Sequence, residues 1–189
     1  MAIITLSDLR AHIKIAGTAD DTLLSFYINA AQDAIETHTR RTFDAGTTTA
    51  TRYYPNDTYT FNGQRLYLDT DLLSVSELVN GDGGTISASD YWLQPRNTPP
   101  YAIIELKTNE VWSFNTDGEV AVTGVWGYSG TAPYDVQDAC RELATYYYRV
   151  RSSSVFETVG SPDGPSMPLP RGLPKNVADL LNPYRRRSR

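Results

Sequence analysis

Residues 18–41 read TADDTLLSFYINAAQDAIETHTRR, and this stretch decides the fold class. Leu24, Ile28, Ala31 and Ile35 recur at intervals of 4, 3 and 4, the spacing that lines one face of an α-helix. Thr18 can cap the start. Asp20 and Asp21 suit the positive N-terminal end of the helix macrodipole, and Arg40 and Arg41 suit its negative C-terminal end. The pattern predicts a helix over 19–43. An apolar stripe of this kind has to be covered, and the residues just upstream supply a cover. Thr5 can cap a turn beginning at Leu6, with Asp8 in the place of a capping-box acid and Ile4 and Leu9 spaced as a hydrophobic staple. Leu6, Leu9, Ile13 and Ala16 then share a face and Gly17 closes the segment, so a helix is expected over 5–16 and the N-terminus reads as a helical hairpin.

Downstream the period changes. From about residue 47 to 130 the apolar residues alternate, β-branched and aromatic side chains dominate, and turn dipeptides punctuate the chain. Asn62-Gly63 and Asn80-Gly81 carry the strongest hairpin signals, and Pro99-Pro100 and Asp117-Gly118 separate later strands. Their tips, Asn62, Gly63, Asn80 and Gly81, are therefore candidate contact loops. Pro133 opens a third helical pattern over 133–152, in which Val136, Cys140, Leu143, Tyr147 and Val150 keep helical spacing. The expected fold is α+β: an N-terminal helical hairpin and a C-terminal long helix packed with a central antiparallel β-sheet or small barrel, plus an extended C-terminal tail. A body over 1–155, with its β-rich insert at 47–130, and a tail over 156–189 follow from this division.

The tail is compositionally separate. Five prolines between Pro162 and Pro174 interrupt regular structure, and a short amphipathic segment, Lys175–Leu181, then presents Val177, Leu180 and Leu181 as an apolar side. Residues 171–189 hold six basic side chains against one acid, a charge of +5, so the remainder carries −10 of the chain's net −5. A body that acidic is a poor general nucleic-acid binder, whereas the basic tip can reach an acidic protein surface or phosphate. Val177, Leu180, Leu181, Tyr184, Arg185, Arg186 and Arg187 are accordingly the candidate docking residues. A nucleic-acid-binding packaging or regulatory factor that uses the same arginines is the alternative reading.

The chain offers little for catalysis. His12 and His38 fall on different helices without a Cys or carboxylate at ligand spacing, so no metal site is expected. Gly127-Tyr128-Ser129-Gly130 lacks the spacing of a nucleophile elbow. Asn80-Gly81-Asp82-Gly83-Gly84 is not completed as a phosphate or calcium loop, because Ile86 stands where a dinucleotide fingerprint needs glycine and no Lys follows. Neither an enzyme nor a cofactor is expected. The single Cys140 cannot form an internal disulfide, Met1–Leu6 is cut short by Ser7, Asp8 and Arg10 and is not expected to be a signal peptide, and no apolar run reaches membrane-spanning length. A cytoplasmic setting is the expectation. The 13 tyrosines suit half-buried sheets and subunit interfaces as well as cores.

Three stretches, in order, resemble the head-tail connector (adaptor) proteins of tailed bacteriophages and prophages. Ile4-Thr5-Leu6-Ser7-Asp8-Leu9-Arg10, with Asp20-Asp21-Thr22-Leu23-Leu24, Ile28-Asn29-Ala30-Ala31 and Thr39-Arg40-Arg41, is similar to the family's opening helix pair. Val122-Thr123-Gly124-Val125-Trp126-Gly127-Tyr128, followed through Pro133 by the Tyr-rich helix ending Tyr148-Arg149-Val150-Arg151, is similar to its last strand and third helix. Leu173-Pro174-Lys175-Asn176-Val177, with Leu180-Leu181-Asn182-Pro183-Tyr184-Arg185, resembles its C-terminal ending. The resemblance implies a ring, commonly of twelve subunits, in the virion neck beneath the portal protein. Such a ring extends the DNA channel without sequence-specific binding and offers a platform to the next neck or tail protein. An acidic body fits a channel wall, because a basic lining would retain phosphates by counterion release.

Overall fold

The first helix, α1 (Leu6–Ile13), starts on the expected capping box: the Thr5 hydroxyl accepts from the Asp8 amide, and the Asp8 carboxylate accepts from the Thr5 amide. Both staple residues, Ile4 and Leu9, are buried. The helix ends earlier than its apolar pattern, because Lys14 takes the left-handed conformation that stops it, and Ala16 is exposed. The computed structural model describes residues 2–43, 48–57, 60–115, 118–152, 158–159, 167–168 and 172–186. The second helix, α2 (Asp21–Thr39), buries Leu24, Ile28, Ala31 and Ile35, the stripe read from the sequence. Its N-cap is Asp20 rather than Thr18, and Asp20 makes no side-chain cap bond because its carboxylate accepts from the Tyr148 hydroxyl at 2.7 Å. Arg40, in the left-handed conformation, closes α2 before the expected residue 43.

Two compact units divide the chain: residues 1–40 with 132–189, and residues 41–131. In the helical unit, α3 (Tyr134–Ser152) covers α2. Val136, Ala139, Cys140, Leu143 and Ala144 are buried, and Tyr27 stacks beside Tyr147 with ring centres 6.2 Å apart. Asp20 and Tyr27 thus meet the C-terminal part of α3, so the two helices run antiparallel. Two two-residue strands, β7 (Thr158–Val159) and β8 (Met167–Pro168), pair antiparallel; the other prolines expected to extend the 161–170 stretch lie outside the described residues.

The other unit is an antiparallel sheet. It comprises β1 (Thr49–Pro55), β2 (Phe61–Asn62), β3 (Arg65–Val79), β4 (Tyr91–Gln94), β5 (Tyr101–Leu106) and β6 (Glu119–Trp126), in the order β1-β6-β3-β5-β4 with β2 beside β3. The fifteen-residue β3 is the pivot. Its first half pairs with β5 and its second half with β6, and Leu72 is opposite both Tyr101 and Trp126. Register shifts on either side of Leu72 let one strand serve both ladders, as bulges do. At Gly124 a Cβ would lie 2.1 Å from the Ser74 carbonyl oxygen, so the β3–β6 approach there requires glycine. Leu66, Leu72, Leu78, Ile104, Leu106, Val120 and Val122 form the core of this sheet.

The entry and exit of the sheet unit are tied together. The Tyr128 amide donates to the Thr42 carbonyl, the Gly127 amide donates to the Asp71 carbonyl, and Phe43 packs on Tyr128. Arg41 pairs with the buried Asp71 at 2.7 Å and lies over the Tyr128 ring. A guanidinium held between a carboxylate and a ring face satisfies both of its preferences at once. Trp126 extends the tie toward the edge, donating its indole N–H to the Ala50 carbonyl under the Arg52 guanidinium.

Candidate functional site

The docking residues proposed for the tail lie on α4 (Lys175–Leu181), a single 3₁₀ turn (Asn182–Tyr184) and the residues after it. Pro174 caps α4 without a side-chain bond, and the helix packs on α3 and touches α2. Val177 and Leu181 are fully buried in the helical unit. Leu180 is half-buried, Tyr184 donates from its hydroxyl to Asp135, and Arg185 is exposed. The Arg186 amide donates at 2.8 Å to the carbonyl of Thr39, one of the free carbonyls at the end of α2. Arg187 lies outside the described residues. The amphipathic side read from the sequence is real, but α3 and α2 of the same chain take it up. Leu180 and Tyr184 lie half-buried at its margin, and Arg185 is exposed. The segment is a strap on the helical unit, in contrast to the separate tail expected from its composition.

The loop tips divide in the same way. Asn62 and Gly63 are exposed, and Gly63, at φ +59°, is the first of two residues in a tight turn that pairs Asn62 with Arg65. The turn is therefore centred one residue later than Asn62-Gly63, in the geometry that puts glycine first. Asn80 and Gly81 are buried. The Asn80 amide group donates to the Val111 carbonyl, and its carbonyl oxygen accepts from the amides of Ser113 and Gly81. Where a plain hairpin was expected, Asn80 pins the 111–115 segment, and Gly81 bridges to Phe114 in parallel. Asn-Gly marks a tight turn in a sequence, but the pair cannot show that a remote segment will use the amide. Phe61 closes this corner against Trp112 and Phe114. On β4, Trp92 lies beneath the Arg96 guanidinium, 3.8 Å from ring centre to carbon.

The titratable groups answer to local structure. Hydrogen bonds from Thr5 hold Asp8 below the ordinary aspartate value, and Arg65 and then Gln94 hold Glu105 below the glutamate value. Burial, followed by the bond to Asp69, pushes the Tyr54 hydroxyl well up, and burial pushes the Cys140 thiol up to about 12. A thiol so raised is a packing group rather than a nucleophile. His12 lies 3.8 Å from Glu142. Among the described residues no group of three or more His, Cys, Asp and Glu is placed to hold a metal ion, and no helix is long and apolar enough to cross a membrane.

No curated protein matches the chain in sequence. Among solved structures, a chain in the neck of an empty gene transfer agent (GTA) particle, computed with C6 symmetry, superposes with a TM-score of 0.64 at 21% identity, covering 97% of this chain and 89% of that one. A chain in the neck of the native particle, computed with C12 symmetry, gives 0.63 at 20% identity over 95% and 87%. A chain of the native virion gives 0.62 at 22% over 97% and 89%. At these identities the likeness is one of fold, and it spans both units. The family of phage gp6-like head-tail connector proteins matches residues 3–66, from just before α1 through α2 and β1 to the start of β3. The chain is thus similar, through its helical hairpin and first strands, to the phage gp6-like head-tail connector proteins, a structural and non-enzymatic family, as the sequence resemblance implied.

Proposed function

We propose that this chain is a head-tail connector subunit of a phage-like virion neck, forming a closed ring of twelve beneath a portal protein and passing genomic DNA through its channel to a downstream neck or tail component. The observation that carries the reading is the family match over the helical hairpin, joined to a fold that follows neck proteins along almost its whole length. Subunit contacts in such a ring are heterologous and close by rotation. The acidic body suits the channel wall.

Docking to the portal falls to the exposed margin of the strap, Leu180, Tyr184 and Arg185, with Arg186 and Arg187 next in sequence. Val177 and Leu181 contribute by seating α4. Asn62 and Gly63 are the exposed turn offered to the downstream protein, while Asn80 and Gly81 act by shaping the corner behind them. Native mass spectrometry and negative-stain imaging, with the protein alone and mixed with its portal, test the whole reading. A ring bound to the portal is expected, and a protein that stays monomeric in both conditions overturns it. Arg185→Glu should weaken portal attachment, more strongly at low salt, with the circular dichroism spectrum unchanged. Attachment insensitive to this change would remove the docking role from the strap.

A further inference from the structure

The helical unit carries an apolar cavity that the connector reading leaves unassigned. It has a volume of about 310 Å³ and lies between the N-terminal segment and α2. Ile4, Leu6 and Ile28 give it apolar walls, and Thr5, Ser25 and Asn29 supply polar groups. Beside it on α2 stands Phe26, 63% exposed. An aromatic body with a hydroxyl at one end matches this lining, because the ring can rest on the aliphatic walls while the hydroxyl bonds to Asn29 or Ser25.

The same unit presents such a group elsewhere. Tyr134, the first residue of α3, is 84% exposed, the largest exposure among the big apolar side chains of the described residues. It cannot fill the cavity of its own chain. Since α2 and α3 are antiparallel, the start of α3 lies at the Arg40 end of α2, and the twelve residues from Ile28 to Arg40 span about 18 Å of helix. Charge follows the same division. The cavity is flanked by the exposed carboxylates of Asp8, hydrogen-bonded to Thr5, and Asp33, one turn beyond Asn29. Near Tyr134 stands the exposed Arg40, through the Arg186–Thr39 and Tyr184–Asp135 bonds that join the residues beside each.

From this complementarity we infer that Tyr134 of one copy inserts into the Ile4–Leu6–Ile28 cavity of the next, with Arg40 meeting Asp33. The inference rests on the ring reading and names its subunit contact. Knob and socket lie on different ends of one unit, so each copy can accept one neighbour and donate to another, as a closed head-to-tail ring demands.

Tyr134→Cys combined with Asn29→Cys in the full chain tests it, since Cys140 is fully buried and unreactive in the fold. With portal present to promote assembly, mild oxidation should give a ladder of covalent oligomers on a non-reducing gel, and each single variant should not. Tyr134→Ala should raise the dissociation constant of the ring by tenfold or more, and Tyr134→Phe by less. Arg40→Glu should weaken assembly and Asp33→Arg should restore it. Rings that form normally in Tyr134→Ala, with no ladder in the double variant, overturn the contact and leave the connector reading standing. A chain that never assembles, with or without portal, overturns both.

Discussion

The two units bury their cores by different means. In the helical unit, contacts follow from local periodicity: Leu24, Ile28, Ala31 and Ile35 face Val136, Cys140 and Leu143 because 3.6-residue spacing puts them on one side of each helix. In the sheet unit, the defining contacts join residues far apart in sequence through polar side chains and register shifts, such as Asn80 with Ser113 and Arg41 with Asp71. Apolar patterning thus specifies the first unit, and the second needs hydrogen bonds that only the folded chain can place. A helical core should therefore yield to deleted methyl groups, and the sheet unit to a lost amide.

The largest expected effect is in the helical unit. Leu181→Ala should cost about 3 kcal/mol, the usual range for emptying a buried leucine site. Leu180→Ala, one residue away and half-buried, should cost less than about 1 kcal/mol. Urea denaturation of the two variants checks the difference, and equal losses would mean that α4 is not seated by its inner side. Next comes the sheet unit, where Asn80→Leu keeps the branched heavy-atom skeleton but strands the Val111 carbonyl and the Ser113 and Gly81 amides. A loss of about 2 kcal/mol is expected. Hydrogen exchange should quicken at Ser113 and its neighbours while the α2 amides keep their protection.

A smaller effect comes from the first turn of the chain. Thr5→Ala removes the capping box of α1 and should lower stability by about 1 kcal/mol. The smallest is a pH dependence with one carboxylate in each unit. Asp8 and Glu105 both titrate lower in the folded chain than unfolded, so each adds stability above its unfolded value that is lost as pH falls through its folded value. The loss should begin below 3.8 for Asp8 and below 4.5 for Glu105. Arg65→Ala should flatten the first part of an acid denaturation profile and Thr5→Ala the second, and a profile unchanged in both variants would contradict the assignments.

How much of this was legible in the sequence follows the same divide. The capping box, the staple, the α2 stripe and the α3 pattern were all readable, because cap and period signals act within a few residues. Helix ends were less so: Lys14 and Arg40 take left-handed conformations that no glycine advertised. The antiparallel sense of the strands could be anticipated, but not the doubling of β3 around Leu72, which depends on two partners, Tyr101 and Trp126, far along the chain. At the candidate site, the apolar side of α4 was visible while its owner was not. Amphipathicity states that a face will be covered, and the covering helix may belong to the same chain or another. Asn80 misled for the complementary reason, since a turn signal says nothing about what its side chain will later hold.

The three tryptophans, Trp92, Trp112 and Trp126, all belong to the sheet unit, and the single cysteine, Cys140, belongs to the helical unit with its thiol fully buried. Indole emission therefore reports on the sheet alone, and alkylation of the thiol reports on opening of the helices alone. Without any added label, the chain carries two separate optical and chemical clocks, and following both during assembly tells which half changes first.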